Sequence, residues 1–178
     1  TRAEAAAVIT RIVEPSARWS FTLEHTGMQG IFAYLQEESN RRKALDNALL
    51  LNNGQYDNAC VYFISEVLRQ NNTDIPLNTC NTSGLVSELK GRGWQSYFDY
   101  RELRPGDICF TMDSSDRRGA PSHAYVFMGW LMPDSYDFAM VCDNQAHRYG
   151  AVYHQRNIAI IDTHQGEKKE AFQFFMRG

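Results

Sequence analysis

The order of patterns along the chain predicts an α+β fold in which N-terminal helices pack on a C-terminal antiparallel sheet. Two observations carry this. Apolar residues recur every three or four positions up to about residue 90, and after Trp94 they fall into short alternating runs separated by turn residues. Helices first and a meander second is the α+β arrangement. The 178 residues, 43% of them hydrophobic and 12% aromatic, suffice for one domain burying about two thirds of its unfolded surface. No repeat, low-complexity tract or linker divides it, so residues 1–178 are taken as one domain, with a helical part over 1–53 and a core over 54–178.

The helical elements come first. "RAEAAAVITRIV" ends at Pro15 and lines up Ala5, Val8, Ile9 and Ile12. "GMQGIFAYLQEES" aligns Met28, Ile31, Phe32 and Leu35, and "RRKALDNALLLNNG" aligns Leu45, Ala48 and Leu49 before an Asn-Asn-Gly stop. Each stripe needs burying, so these helices are read as scaffold. "QYDNACVYFISEVLRQ" is amphipathic: Asp57 or Asn58 is the expected cap, Cys60, Ile64, Val67 and Leu68 form the apolar face, and Ser65, Glu66, Arg69 and Gln70 lie opposite. "SGLVSELKGRG" predicts a shorter helix.

Strands follow. "LRPGDICFTM" is a turn feeding a strand, "SHAYVFMGWL" and "YDFAMVCD" are the next two, and "GAVYHQR" and "NIAIIDT" two more. "EAFQFFMR" closes the chain, alternating Phe172, Phe174 and Met176 with polar neighbours. Trp94, Tyr97, Phe98, Tyr100 and Trp130 are expected to cover the sheet.

Composition excludes several classes of function. A formal charge of -3 with scattered basic residues gives no footprint for nucleic acid. "RRK" at Arg41 and "EKKE" at Glu167 read as solvated faces. No apolar run approaches the roughly 20 residues of a bilayer span. The chain opens at Thr1 with no short apolar core after a basic start, and the expectation is that a segment upstream has been removed. Cys60, Cys80, Cys109 and Cys142 show no C-x-x-C pair, so neither a disulfide framework nor structural zinc is expected. Cys109 and Cys142 are read as core and Cys80 as a loop thiol. His147 and His154 are weighed as metal ligands, with Asp143, His147 and His123 as the zinc set, but no H-E-x-x-H pattern stands behind it, and His25 and His164 are read as ordinary surface or loop histidines.

Cys60 is the residue on which function turns. A helix N-terminus favours negative charge on a thiol, and a histidine held by a third polar group completes a nucleophilic site. His123 opens "HAYVFMGWL", on the side of Tyr125 and Phe127. A hairpin centred between Met132 and Asp134 makes paired numbers sum to about 266, which sets His123 opposite Asp143, give or take one residue. Asp143, Asn144 and Gln145 are candidate orienting groups, with Asp143 the first choice. Tyr56 and Gln55, just before the thiol, are candidate substrate-binding or oxyanion residues together with Asn144 and Gln145. The plain alternative is a buried structural thiol, since Cys60 shares its face with Ile64, Val67 and Leu68.

"YDNACVYFISEVL", "LRPGDICF", "SHAYVFMGW" and "MVCDNQ", in that order, resemble the bacterial cell-wall cysteine peptidases of the NlpC and CHAP type, within the papain-like superfamily. The resemblance spans Gln55 to Gln145, and "NACVY" stands where NlpC-type proteins carry "DCSG". It implies a papain-like fold with Cys60 as nucleophile, His123 as base and Asp143 or Asn144 as the orienting group. It also implies no cofactor, peptidoglycan peptide as substrate, and a secreted, periplasmic or cell-surface setting. The same triad serves acyl transfer, and a non-catalytic binding module remains the other alternative.

Overall fold

The computed structural model describes residues 27–112 and 119–178, with side chains from residue 29. The helix expected over Arg2–Val13, His25 and the side chain of Met28 lie outside the described residues. Two helices open the described chain, α1 (Gly27–Gln36) and α2 (Glu38–Leu51). Arg41 donates to the carbonyls of Leu35 and Gln36, so one of the basic residues expected to be merely solvated closes the end of α1. Ile31, Leu35, Ala44, Leu45 and Ala48 join a core with α3 (Cys60–Gln70), as the stripes require.

Helix α3 differs from its expected amphipathic form. Ser65 and Glu66, placed on the polar side, are both buried. Glu66 accepts hydrogen bonds from Asn47 and Gln70 and pairs with Arg69 at 3.0 Å. Burial works against its charge, but these partners outweigh it and hold the carboxyl below its usual range. A charged side chain can therefore sit inside, and periodicity alone misassigns it. Helix α4 (Thr82–Gly91) is capped by the Asn81 side chain accepting from the Gly84 amide at 2.8 Å.

The strands are β1 (Gln95–Tyr97), β2 (Ile108–Thr111), β3 (His123–Trp130), β4 (Phe138–Cys142), β5 (Tyr153–Asn157), β6 (Asp162–His164), β7 (Glu167–Lys169) and β8 (Phe172–Arg177). Six of them form a sheet in the order β1-β8-β2-β3-β4-β5, antiparallel throughout, and β6 and β7 form a separate ribbon. The expected meander is β2 to β5. The closing strand instead returns beside β2, and β1 lies outside it. In "NIAIIDT" Asn157 ends β5 and only Asp162 and Thr163 enter β6.

The turn before β2 is built by "RPGD", residues 104–107. Gly106 adopts φ 99, with Pro105 before it, the type II pattern. Asp107 accepts from the Arg104 amide at 2.7 Å, and Asp107 is itself fully buried against Arg177.

Both faces of the sheet are covered. On one, Ile108, Phe110, Ala124, Val126 and Met128 meet α3 through Ile64 and Leu68. On the other lie Cys109, Tyr125, Phe127, Ala139, Val141 and Phe175. Phe175 belongs to this second face, so β8 is apolar on both sides rather than alternating. Tyr97 stacks on Phe175, and Tyr100 and Trp130 meet edge to face. Trp94 is buried as expected, whereas Phe98 is 69% exposed and covers the sheet only through a tilted contact with Phe174. Among the described residues no helix is long and apolar enough to cross a membrane.

Candidate functional site

Cys60 is the first residue of α3, and the cap before it differs from expectation. Neither Asp57 nor Asn58 caps the helix; Ala59 holds the N-cap position without a side-chain bond. Asn58 takes φ 63 to turn the chain in, and Asp57 reaches Arg148 at 3.1 Å instead. With no side chain satisfying the first-turn amides, they remain available to a negative group at the helix start.

His123 is the first residue of β3, on the side of Tyr125, whose ring lies 6.4 Å away. Cys60 belongs to the core on the opposite side of the sheet. The two meet because His123 ends its strand, where the sheet no longer separates its faces. The Cys60 sulfur is near enough to the imidazole to raise its proton affinity. Thr82 Oγ1 donates to the Pro121 carbonyl at 2.5 Å, and the Ser122 amide donates to Thr111, so the approach to His123 is anchored on both sides.

Asp143 accepts from the other side of the ring, with its Oδ2 2.8 Å from His123 Nε2. The hairpin register differs from the expected sum of 266. Val126 pairs Cys142 and Phe127 pairs Val141, both summing to 268, and a bulge between Phe127 and Gly129 shifts the rest by one more. The shift of two keeps Asp143 on the His123 face, because side chains alternate with period two. The carboxylate therefore reaches the imidazole diagonally rather than from directly opposite.

Burial alone would pull His123 down. Its hydrogen bond to Asp143, the nearby Cys60 sulfur, and the charge on both reverse this, and the imidazole is pushed up to about 9. Burial would likewise raise Asp143, but the bond from His123 and the nearby His154 and Arg156 lower it to about 2. Both effects favour an imidazolium paired with the Asp143 carboxylate. Cys60 and His123 are each only 7% exposed, so the charges sit in a nearly dry site.

The other expected site residues surround this line without joining it. Asn144 donates to the Tyr56 carbonyl at 2.7 Å, tying β4 to the segment before Cys60, and does not touch His123. The Gln145 amide donates to Asp143 Oδ1 at 2.8 Å, while its side-chain oxygen accepts from Arg156. Tyr56 lays its ring on His147, and Gln55 is exposed with its carbonyl held by Asn52. Among the three orienting candidates, Asp143 is the one bonded to His123. All four cysteines are free, Cys80 exposed and Cys109 and Cys142 buried. Among the described residues no group of three His, Cys, Asp or Glu side chains is placed to hold a metal ion.

One neighbour was not singled out for this role from the sequence. His154 sits with Nε2 3.9 Å from Asp143 Oδ1, on the far side of the carboxylate from His123. Its β5 position gives no local sign of this, because β4 and β5 are joined through the helical turn α5 (Ala146–Tyr149) rather than a tight hairpin. Lys169, expected on a solvated face, is also buried, with its Nζ 5.5 Å over the Tyr149 ring. Comparison with known proteins finds no matching family model, no matching curated protein and no matching solved structure.

Proposed function

We propose that this chain is a papain-like cysteine hydrolase that cleaves an amide bond in the peptide part of bacterial peptidoglycan. The observation that carries this reading is His123 bonded to the buried Asp143 at 2.8 Å, with Cys60 at a helix start close enough to act on the same ring. The substrate class and the secreted, periplasmic or cell-surface setting rest on the resemblance of the four motifs to NlpC and CHAP peptidases.

With Nε2 of His123 committed to Asp143, Nδ1 is the nitrogen left for the sulfur. The Cys60 thiolate attacks the amide carbon, and the first-turn amides of α3 receive the oxyanion. His123 gives its Nδ1 proton to the departing amine, leaving a thioester. Water then loses a proton to the same nitrogen as it attacks, and the acid leaves as the thiolate returns. Asp143 keeps the ring oriented and stabilises its charged form. No cofactor enters.

The test is incubation of purified muropeptides with the wild type and with Cys60→Ala, followed by mass analysis. New cleavage products from the wild type alone support the reading, and a panel of defined stem peptides left intact by both removes it. A non-catalytic module has one observation on its side, the small exposure of Cys60. Alkylation decides this: a module leaves Cys60 slower than exposed Cys80, whereas a catalytic thiolate makes it faster.

A further inference from the structure

The buried carboxylate of the candidate site stands between two histidines rather than beside one. Strand register places His154 opposite Val141, and Arg156 opposite Ala139. Both therefore share the sheet face of Asp143, whose amide continues the ladder to the Val152 carbonyl at 3.2 Å. His123 approaches Asp143 diagonally from β3, and His154 approaches it diagonally from β5.

The hydrogen bonds fix which nitrogen of His154 is free. Its Nδ1 faces the Ala151 carbonyl at 3.1 Å, and a carbonyl only accepts, so Nδ1 carries the proton. Nε2 is then a bare acceptor. It is buried, has no hydrogen-bond partner among the described residues, and lies 3.9 Å from Asp143 Oδ1, beyond hydrogen-bond range. The ring cannot swing away, because Tyr149 stacks on it with centroids 3.9 Å apart and His164 stacks at 4.1 Å from Tyr149. A lone pair held beside a carboxylate is well placed to take up a proton.

We infer that His154 is a positioning residue for the Cys60–His123–Asp143 line, and that it acts through Asp143 by gaining or losing a proton at Nε2. This rests on the cysteine-hydrolase reading. A solvent proton taken at Nε2 becomes an N–H donor aimed at Oδ1. The carboxylate then serves two imidazolium rings, and the new charge repels the one on His123. His123 returns its Nδ1 proton to the Cys60 sulfur, leaving a thiol and a neutral ring. One proton enters from solvent and one moves internally.

The surroundings set when this happens. Burial and the Arg156 guanidinium on the same strand hold His154 below the usual histidine range, opposed by Asp143. Lys169 stands 5.5 Å over the Tyr149 ring from β7, His164 lies on the ring from β6, and His123 faces across Asp143 from β3. Cation-rich walls thus keep the nitrogen empty near neutrality and let it fill as the medium turns acidic.

The experiment measures the rate of Cys60 alkylation by iodoacetamide against pH, on the full chain with Cys80→Ser to silence the exposed thiol. Wild-type His154, His154→Phe and His154→Gln are compared. The expected result is a wild-type acid limb that spans two protons. In both variants it becomes a one-proton limb displaced to lower pH, so that on the wild-type limb the variants react several-fold faster relative to their plateau. Superimposable limbs would reduce His154 to a wall and overturn the inference. Where a variant fails to fold, ring NMR of the wild type replaces it: His154 and His123 signals moving with a shared midpoint support the coupling, and independent midpoints overturn it. A Cys60 in the wild type no more reactive than Cys80 would sink the hydrolase reading itself, an outcome distinct from unchanged limbs.

Discussion

The two faces of the six-stranded sheet are equally buried but built from different material. Under α3, Ile108, Phe110, Ala124, Val126 and Met128 pack against Ile64, Val67 and Leu68 with little polar content. The opposite face mixes Tyr125, Phe127, Val141 and Phe175 with Asp107, Asp143, His154 and Arg156. Among the described residues, Tyr125 Oη, His154 Nε2 and Arg156 Nε on this face are buried without a hydrogen-bond partner, against Ser65 Oγ on α3. An apolar face supplies burial energy and excludes water, and what it does is insensitive to pH. A polar face loses desolvation energy, and in return holds charges whose mutual fields move proton affinities. Cys60 stands on the first face and draws on the second through His123.

Substitutions on each face should therefore fail differently. Asp143→Asn should have the largest effect, lowering amide hydrolysis by about 10³- to 10⁴-fold, because the imidazolium loses its counter-charge. Its stability signature is a pH window. His123, raised from 6.5 to about 9, contributes fully below 6.5 and loses its contribution as pH rises through about 9. Asp143, lowered from 3.8 to about 2, contributes above 3.8 and loses its contribution as pH falls through about 2. The stability difference between wild type and Asp143→Asn, from chemical denaturation across pH, should peak between 3.8 and 6.5. A difference flat with pH would separate the pair from folding.

Next in size is Arg177→Leu. It strips Asp107 of its 2.6 and 2.9 Å bonds and leaves a buried carboxylate uncompensated, at a cost of about 4 kcal/mol. Asp107→Asn together with Arg177→Leu should regain most of this, and a double mutant as unstable as the single would place the loss in packing over Phe175 instead. On the apolar face, Leu68→Ala, two turns from Cys60, should cost about 3 kcal/mol in denaturant melts. It should leave the pH dependence of Cys60 alkylation unmoved, and a shifted profile would blur the contrast between the faces. The smallest effect is expected at the surface, where Asn81→Ala removes a helix cap worth about 1 kcal/mol in the same melts.

The line from Cys60 to Asp143 was legible because each step is local. An apolar stripe places a thiol at a helix start, although the expected cap is not the one used, and a hairpin brings residues twenty apart together. The assumed register was off by two, yet the pairing survived because only an odd slip changes face. Legibility ended where partners are distant or burial is polar. Arg177 meets Asp107 across seventy residues. Glu66 reads as solvent-facing until Asn47, Arg69 and Gln70 are seen to satisfy it.

The amino-acid order by itself determined the α+β sequence of elements, the placement of a thiol at a helix start, and the sheet face shared by His123 and Asp143. Each of these follows from backbone periodicity and short-range turns. Tertiary structure alone decided that β8 returns beside β2, that His154 stands behind Asp143, and that Asp107, Arg156 and Lys169 lie inside. These depend on which surfaces exclude water together, and desolvation is a property of the assembled neighbours rather than of any one stretch of chain.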